Sequence, residues 1–159
     1  MLRVYLETTI PSCLTAKPSR DLIVAAHQEV TRQWWERGRS GVESFVSELV
    51  LAECGGGDQQ EAEKRLAALA GIAVLDVEEN CTQVAEDLVQ SGLIPAKAAQ
   101  DAIHVGTAVV HNMDVLLTWN CRHLANGAIL RKLTQFIRTL GYEAPAICTP
   151  DEMLGEEEP

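Results

Sequence analysis

No stretch of this 159-residue sequence joins the roughly 18 apolar residues that a membrane-crossing helix requires, so no membrane span is expected. Residues 1–12 lack the basic start and long apolar core of a secretory signal, and none is expected there. The five cysteines, Cys13, Cys54, Cys81, Cys121 and Cys148, are odd in number, far apart and contain no C-x-x-C pair. That argues against a disulfide framework or a cysteine zinc site and for the reducing cytoplasm. His27, His111 and His123 share no metal-ligand spacing. Gly55, Gly56 and Gly57 lack the Lys and Ser/Thr that a phosphate-binding P-loop needs. Basic residues are also scarce, 13 against 23 acids, and the net charge of −10 argues at first sight against a nucleic-acid partner.

What is present fits one domain. The chain is 47% hydrophobic, too apolar for a disordered segment, and long enough to bury a core without disulfides or a structural metal. Its charge is unevenly placed. Residues 3–39 carry a balance of +2, residues 43–114 one of −10, and residues 120–142 one of +4 with no acid at all. The tail from Asp151 to Glu158 alone contributes −5. The mean charge therefore describes no particular surface.

Short branched apolar runs at 2–6, 43–47, 72–77, 114–118 and 146–148 read as strands. Helical spacing runs over 20–37, 60–71, 97–112 and 127–140, and Ser47 is placed to cap a helix opening at Glu48. Asn80 with Gln83 reads as a capping box for a further helix that stops near Gly92. Alternating strands and helices predict a three-layer α/β/α domain with a mainly parallel sheet over residues 1–150, followed by a frayed acidic tail over 151–159.

In such sheets ligands bind beyond the carboxyl ends of the strands. Glu7, Thr8 and Thr9 follow the first strand, and Thr118, Trp119 and Asn120 follow the fourth. Glu53 (in LVLAEC) and Asp101 (in AAQDAIHV) sit amid apolar neighbours on helices, so both are expected to face inward. Several inward carboxylates without basic partners imply a cation. Glu48 needs only the helix dipole to explain it. His104, one turn after Asp101, reads as a packed and hydrogen-bonded core histidine. Cys54 and Cys121 read as small buried hydrophobes. Of Trp34 and Trp35, one is expected in the core and the other at a partner surface.

Four blocks in this order, VYLETTIPSCL, SELVLAEC, KAAQDAIHVGTAVVHNMDVLLTWNCRHLAN and ICTPDEML, resemble the PIN-domain nucleases, in particular the VapC-type toxins of toxin–antitoxin systems. The resemblance covers residues 4 to about 154, and the D-A-x-H stretch leading into L-x-T-x-(D/N) is its most specific part. It implies a PIN-like fold and an endoribonuclease that holds Mg²⁺ or Mn²⁺ on acidic residues, here Glu7, Glu53 and Asp101, with Asn120 completing the pocket. Thr8 and Thr118 would donate to a phosphate or a bound water. It further implies an RNA substrate, a cognate antitoxin and a homodimer. Two positions depart from the family pattern: Glu7 stands for the usual Asp, and Asn120 for a fourth acid, which implies weaker metal binding. The alternative is a PIN-like module that binds RNA or a protein without cutting. A metal-dependent phosphatase or other hydrolase on a related fold is a third reading.

Overall fold

The computed structural model describes residues 1–155, and the branched apolar runs pair into a single sheet. Its strands are β1 (Arg3–Leu6), β2 (Glu43–Ser47), β3 (Ala73–Leu75), β4 (Val115–Leu117) and β5 (Ala146–Cys148). Every pairing is parallel, in the order β3-β2-β1-β4-β5. Parallel neighbours require crossovers, and these carry α1 (Thr9–Thr15), α2 (Leu22–Gln33), α3 (Glu48–Cys54), α4 (Gln59–Ala68), α5 (Glu79–Gln90), α6 (Ala99–Val110) and α7 (Gly127–Thr139), with α8 (Pro150–Met153) after the last strand. The chain steps outward from β1 to β3, returns past its start to β4, and steps outward again to β5. Right-handed crossovers taken in opposite directions put helices on opposite faces, which is the expected α/β/α layering. Strands covered on both faces read as continuous apolar runs, and Val4, Tyr5, Leu6, Val46, Leu116 and Leu117 are accordingly fully buried.

Several local expectations are corrected. The segment after β1, for which the sequence reading marks no helix, is helical: Pro11 falls in the first turn of α1, where backbone N–H groups lack intrahelical partners and proline costs nothing. The long helix predicted over 20–37 changes register. After α2 the chain makes one π turn over Trp34–Gly38 and a 3₁₀ turn over Arg39–Gly41. Trp34 is wholly buried there, its ring lying where a Cβ on Gly38 would stand, while Trp35 is partly buried beneath the Arg39 guanidinium. Asn80 and Gln83 form no capping box. The Glu78 carbonyl already accepts the Thr82 N–H, so α5 starts earlier, and this register buries Cys81 completely.

Further corrections lie nearer the C-terminus. Cys121 is exposed, whereas Cys54 is buried as expected. The segment after β5 is not frayed at its start, because Thr149 and Glu152 form a capping box that opens α8. Residues 156–159, the rest of the acidic tail, lie outside the described residues. All five cysteines are free, and no helix among the described residues is long and apolar enough to cross a membrane.

Helix α6 is the element that carries Asp101, and its seat is tight. Gly106 lies against the first turn of α5, and a Cβ at this position would stand 2.2 Å from the Cys81 carbonyl oxygen. At the far end, Asn112 adopts a positive φ of 55°. The Asn112 and Met113 N–H groups return to the Val109 and Ala108 carbonyls, ending the helix and turning the chain into β4. Alanine favours a helix interior over glycine by about 1 kcal/mol, but overpacking against rigid backbone costs roughly 1–3 kcal/mol. Gly106→Ala is therefore expected to lower the unfolding free energy in denaturant titration despite its better helix propensity. An unchanged or higher midpoint would contradict this packing.

Candidate active site

The strand order reverses between β1 and β4, so the connections leaving their carboxyl ends diverge and open a crevice. Glu7 lies just past the end of β1, its N–H bonded to the Leu117 carbonyl at 3.0 Å, and Thr118 lies just past β4. Glu53 projects from α3, which Ser47 opens by accepting the Val50 N–H as the sequence predicts. Asp101 stands in the first turn of α6. Glu48, in the first turn of α3, accepts the Val77 N–H beside the end of β3 and takes no part in this group.

Each carboxylate is held by one oxygen. Glu7 is 4% exposed, and its Oε2 accepts from the Thr9 N–H at 3.0 Å, the Thr118 hydroxyl at 2.8 Å and the Thr9 hydroxyl. Those two hydroxyls in turn accept backbone N–H groups of the loop after β4, Thr9 from Trp119 and Thr118 from Asn120, both at 2.9 Å. Glu7 therefore fastens the two loops together while helping to cap α1. Glu53 Oε1 accepts from the Thr8 hydroxyl at 2.7 Å and pairs with His104 Nε2 at 2.6 Å. Asp101 Oδ2 accepts from the Asn120 side-chain amide at 3.0 Å, and Asn120 Oδ1 accepts the His123 N–H. That assignment of the amide is fixed by its neighbours, since the reverse would set oxygen against carboxylate. Glu7 Oε1, Glu53 Oε2 and Asp101 Oδ1 take none of these bonds.

Thr8 and Thr118 each give their single hydroxyl proton to a carboxylate, Glu53 and Glu7 respectively, and so orient an acid. Asn120 braces Asp101 and caps the following turn. The residues that sequence reasoning did not bring into the group are Tyr5 and Ser47, buried beneath His104. Tyrosine in an apolar strand carries no separate signal.

Glu53, Asp101, Lys97, Arg122 and His123 line an open cleft of about 430 Å³. Glu7 is not among its lining residues. Neither Lys97 nor Arg122 forms an ion pair with the neighbouring acids among the described residues. No three His, Cys, Asp or Glu side chains stand together as a ready metal-binding group among the described residues. The donor set is nevertheless one of hard oxygens with one side of each carboxylate already fixed. That fits a cation satisfied by few protein ligands and several waters.

Burial raises the Glu53 carboxyl, but the hydrogen bonds from His104 and Thr8, with the electrostatic attraction of the His104 side chain, outweigh it and hold the group below its ordinary value. Burial pushes the Cys54 thiol up to about 11, which leaves it inert beside Glu53. Because the folded Glu53 value lies below the unfolded one, its bonds stabilise the fold fully above the ordinary glutamate value and lose that effect as pH falls through the folded value. In metal-free protein, Thr8→Val is expected to move the Glu53 carboxyl titration upward, read by carboxyl ¹³C resonance. Its stability deficit against the parent should be present at neutral pH and fade on acidification. A deficit independent of pH would contradict the Thr8–Glu53 bond.

Comparison with known proteins gives a structural answer only. No family model and no curated protein matches this sequence. Among solved structures, one chain of the VapBC2 complex from Rickettsia felis, bound to a DNA fragment from the promoter, superposes with a TM-score of 0.60. It is 16% identical, and the match covers 93% of this chain and 98% of that one. A chain of a toxin–antitoxin complex from Klebsiella pneumoniae superposes with a TM-score of 0.55 at 16% identity, covering 92% of this chain and 97% of that one. At that identity the likeness concerns the fold: over nearly its whole length, this chain has the α/β architecture found in these two complexes.

Proposed function

We propose that the chain is a divalent-metal-dependent endoribonuclease and the toxin half of a toxin–antitoxin pair. The observation that carries this reading is the state of Glu7, Glu53 and Asp101, each with one oxygen fixed by protein donors and the other left without one. In this reading those three residues hold Mg²⁺ or Mn²⁺, and Asn120 steadies Asp101 while its amide oxygen keeps one lone pair. The bound ion supplies an activated water at neutral pH and offsets charge on the leaving oxygen. The chain's own part is orientation. Thr8, Thr9 and Thr118 fix the carboxylates, and Lys97 and Arg122 at the rim attract the phosphate backbone.

The fold neighbours come from toxin–antitoxin complexes, which supports a proteinaceous antitoxin as partner. A homodimer and a cytoplasmic setting belong to the same reading. The net charge of −10 limits affinity, so RNA binding is modest and falls steeply with salt. A second reading, a module that binds RNA without cutting it, draws support from the lack of a ready three-acid metal group among the described residues.

The two readings separate in one assay. Purified protein is expected to cleave RNA with Mn²⁺ or Mg²⁺, to stop in chelator, and to lose roughly a hundredfold or more in rate on Asp101→Asn. Full activity in the variant or in chelator would overturn the mechanism. Mn²⁺-independent RNA binding with no cleavage would favour the second reading.

A further inference from the structure

We infer that His104, backed by Tyr5 and Ser47, is a positioning residue that fixes Glu53 relative to Asp101. This rests on the metal-dependent reading above. The three side chains are buried, with Tyr5 and Ser47 0% and His104 1% exposed. The Tyr5 hydroxyl lies 2.8 Å from Ser47 Oγ and 2.6 Å from His104 Nδ1, and His104 Nε2 lies 2.6 Å from Glu53 Oε1. One proton arrangement satisfies every atom. An ionised carboxylate only accepts, so in the neutral imidazole Nε2 carries the proton and Nδ1 is an acceptor. Tyr5 then donates to Nδ1, Ser47 donates to the Tyr5 oxygen, and Ser47 Oγ accepts the Val50 N–H at 3.2 Å.

The chain's placement says what it is for. Tyr5 belongs to β1, Ser47 ends β2 and caps α3, and His104 lies one turn beyond Asp101 on the same side of α6. Glu53 and Asp101 come from different helices, and His104 is the side chain of the Asp101 helix that reaches Glu53. It acts as a strut between the elements bearing the two acids that line the cleft. A buried polar chain of this kind stabilises a fold little compared with well-packed apolar groups of equal volume. Its specific effect is to fix which oxygen of Glu53 is tied and which is left for a ligand.

The test is Mn²⁺ binding by titration calorimetry, with metal-free thermal unfolding as the check on folding. His104→Leu is expected to weaken Mn²⁺ binding by about 10- to 100-fold. His104→Gln, whose amide can still reach Glu53, should recover most of it. Tyr5→Phe keeps the ring volume and should lose a few-fold, while the ¹⁵N shift of His104 Nδ1 moves as its hydrogen bond from Tyr5 is lost. The effects of His104→Leu and Glu53→Gln should fail to add in the double variant. Parent-like affinity in folded His104→Leu, or additive losses, overturns the strut; so does a parent tautomer with the proton on Nδ1. A parent that binds no Mn²⁺ overturns the metal reading itself, and the inference with it. If His104→Leu does not fold, Tyr5→Phe decides: unchanged affinity with an unchanged Nδ1 shift overturns the proposal.

Discussion

The Glu7 carboxylate is the joint on which the site depends. Two parallel strands that run side by side and then send their chains to opposite faces leave nothing at their ends to hold the diverging loops together. Here a single oxygen, Glu7 Oε2, accepts two donors from the start of α1 and one from Thr118, and the same hydroxyls receive the Trp119 and Asn120 N–H groups. Three donors offset the burial of a charged group that is 4% exposed. The loop after β4 is thereby held in register with the loop after β1, and Asn120 arrives where its amide can brace Asp101.

The Glu7 side chain reaches forward to the Thr9 N–H in the first turn of α1, so one carboxylate oxygen serves the fold while the other takes no protein donor. The same division recurs at Glu53 and Asp101. The cleft sets Glu53 and Asp101 beside Lys97 and Arg122, so the total charge does not describe that surface.

How much of this was legible in the sequence depended on whether the signal was local. Branched runs marked all five strands, because their burial on both faces shows as unbroken apolar composition. Ser47 before Glu48 announced the start of α3 through capping chemistry alone. The π turn at Trp34 was hidden, since a register change leaves the same residues in the same order, and α1 was hidden because Pro11 reads as a turn unless its place in the first helical turn is known. Glu53 and Asp101 were marked by their apolar neighbours and Glu7 by its place after the first strand. That Thr8 and Thr118 serve those acids, and that Asn120 braces Asp101, depended on side-chain pairings across large sequence separations. The Tyr5–His104 bond joins residues 99 positions apart, and no local pattern carries it.

The most direct test of the account is where a divalent ion binds. Anomalous diffraction from crystals soaked in Mn²⁺ is predicted to show the ion in the cleft, held by Glu53 and Asp101. An empty cleft at saturating Mn²⁺, or an ion held by other residues, would contradict the account.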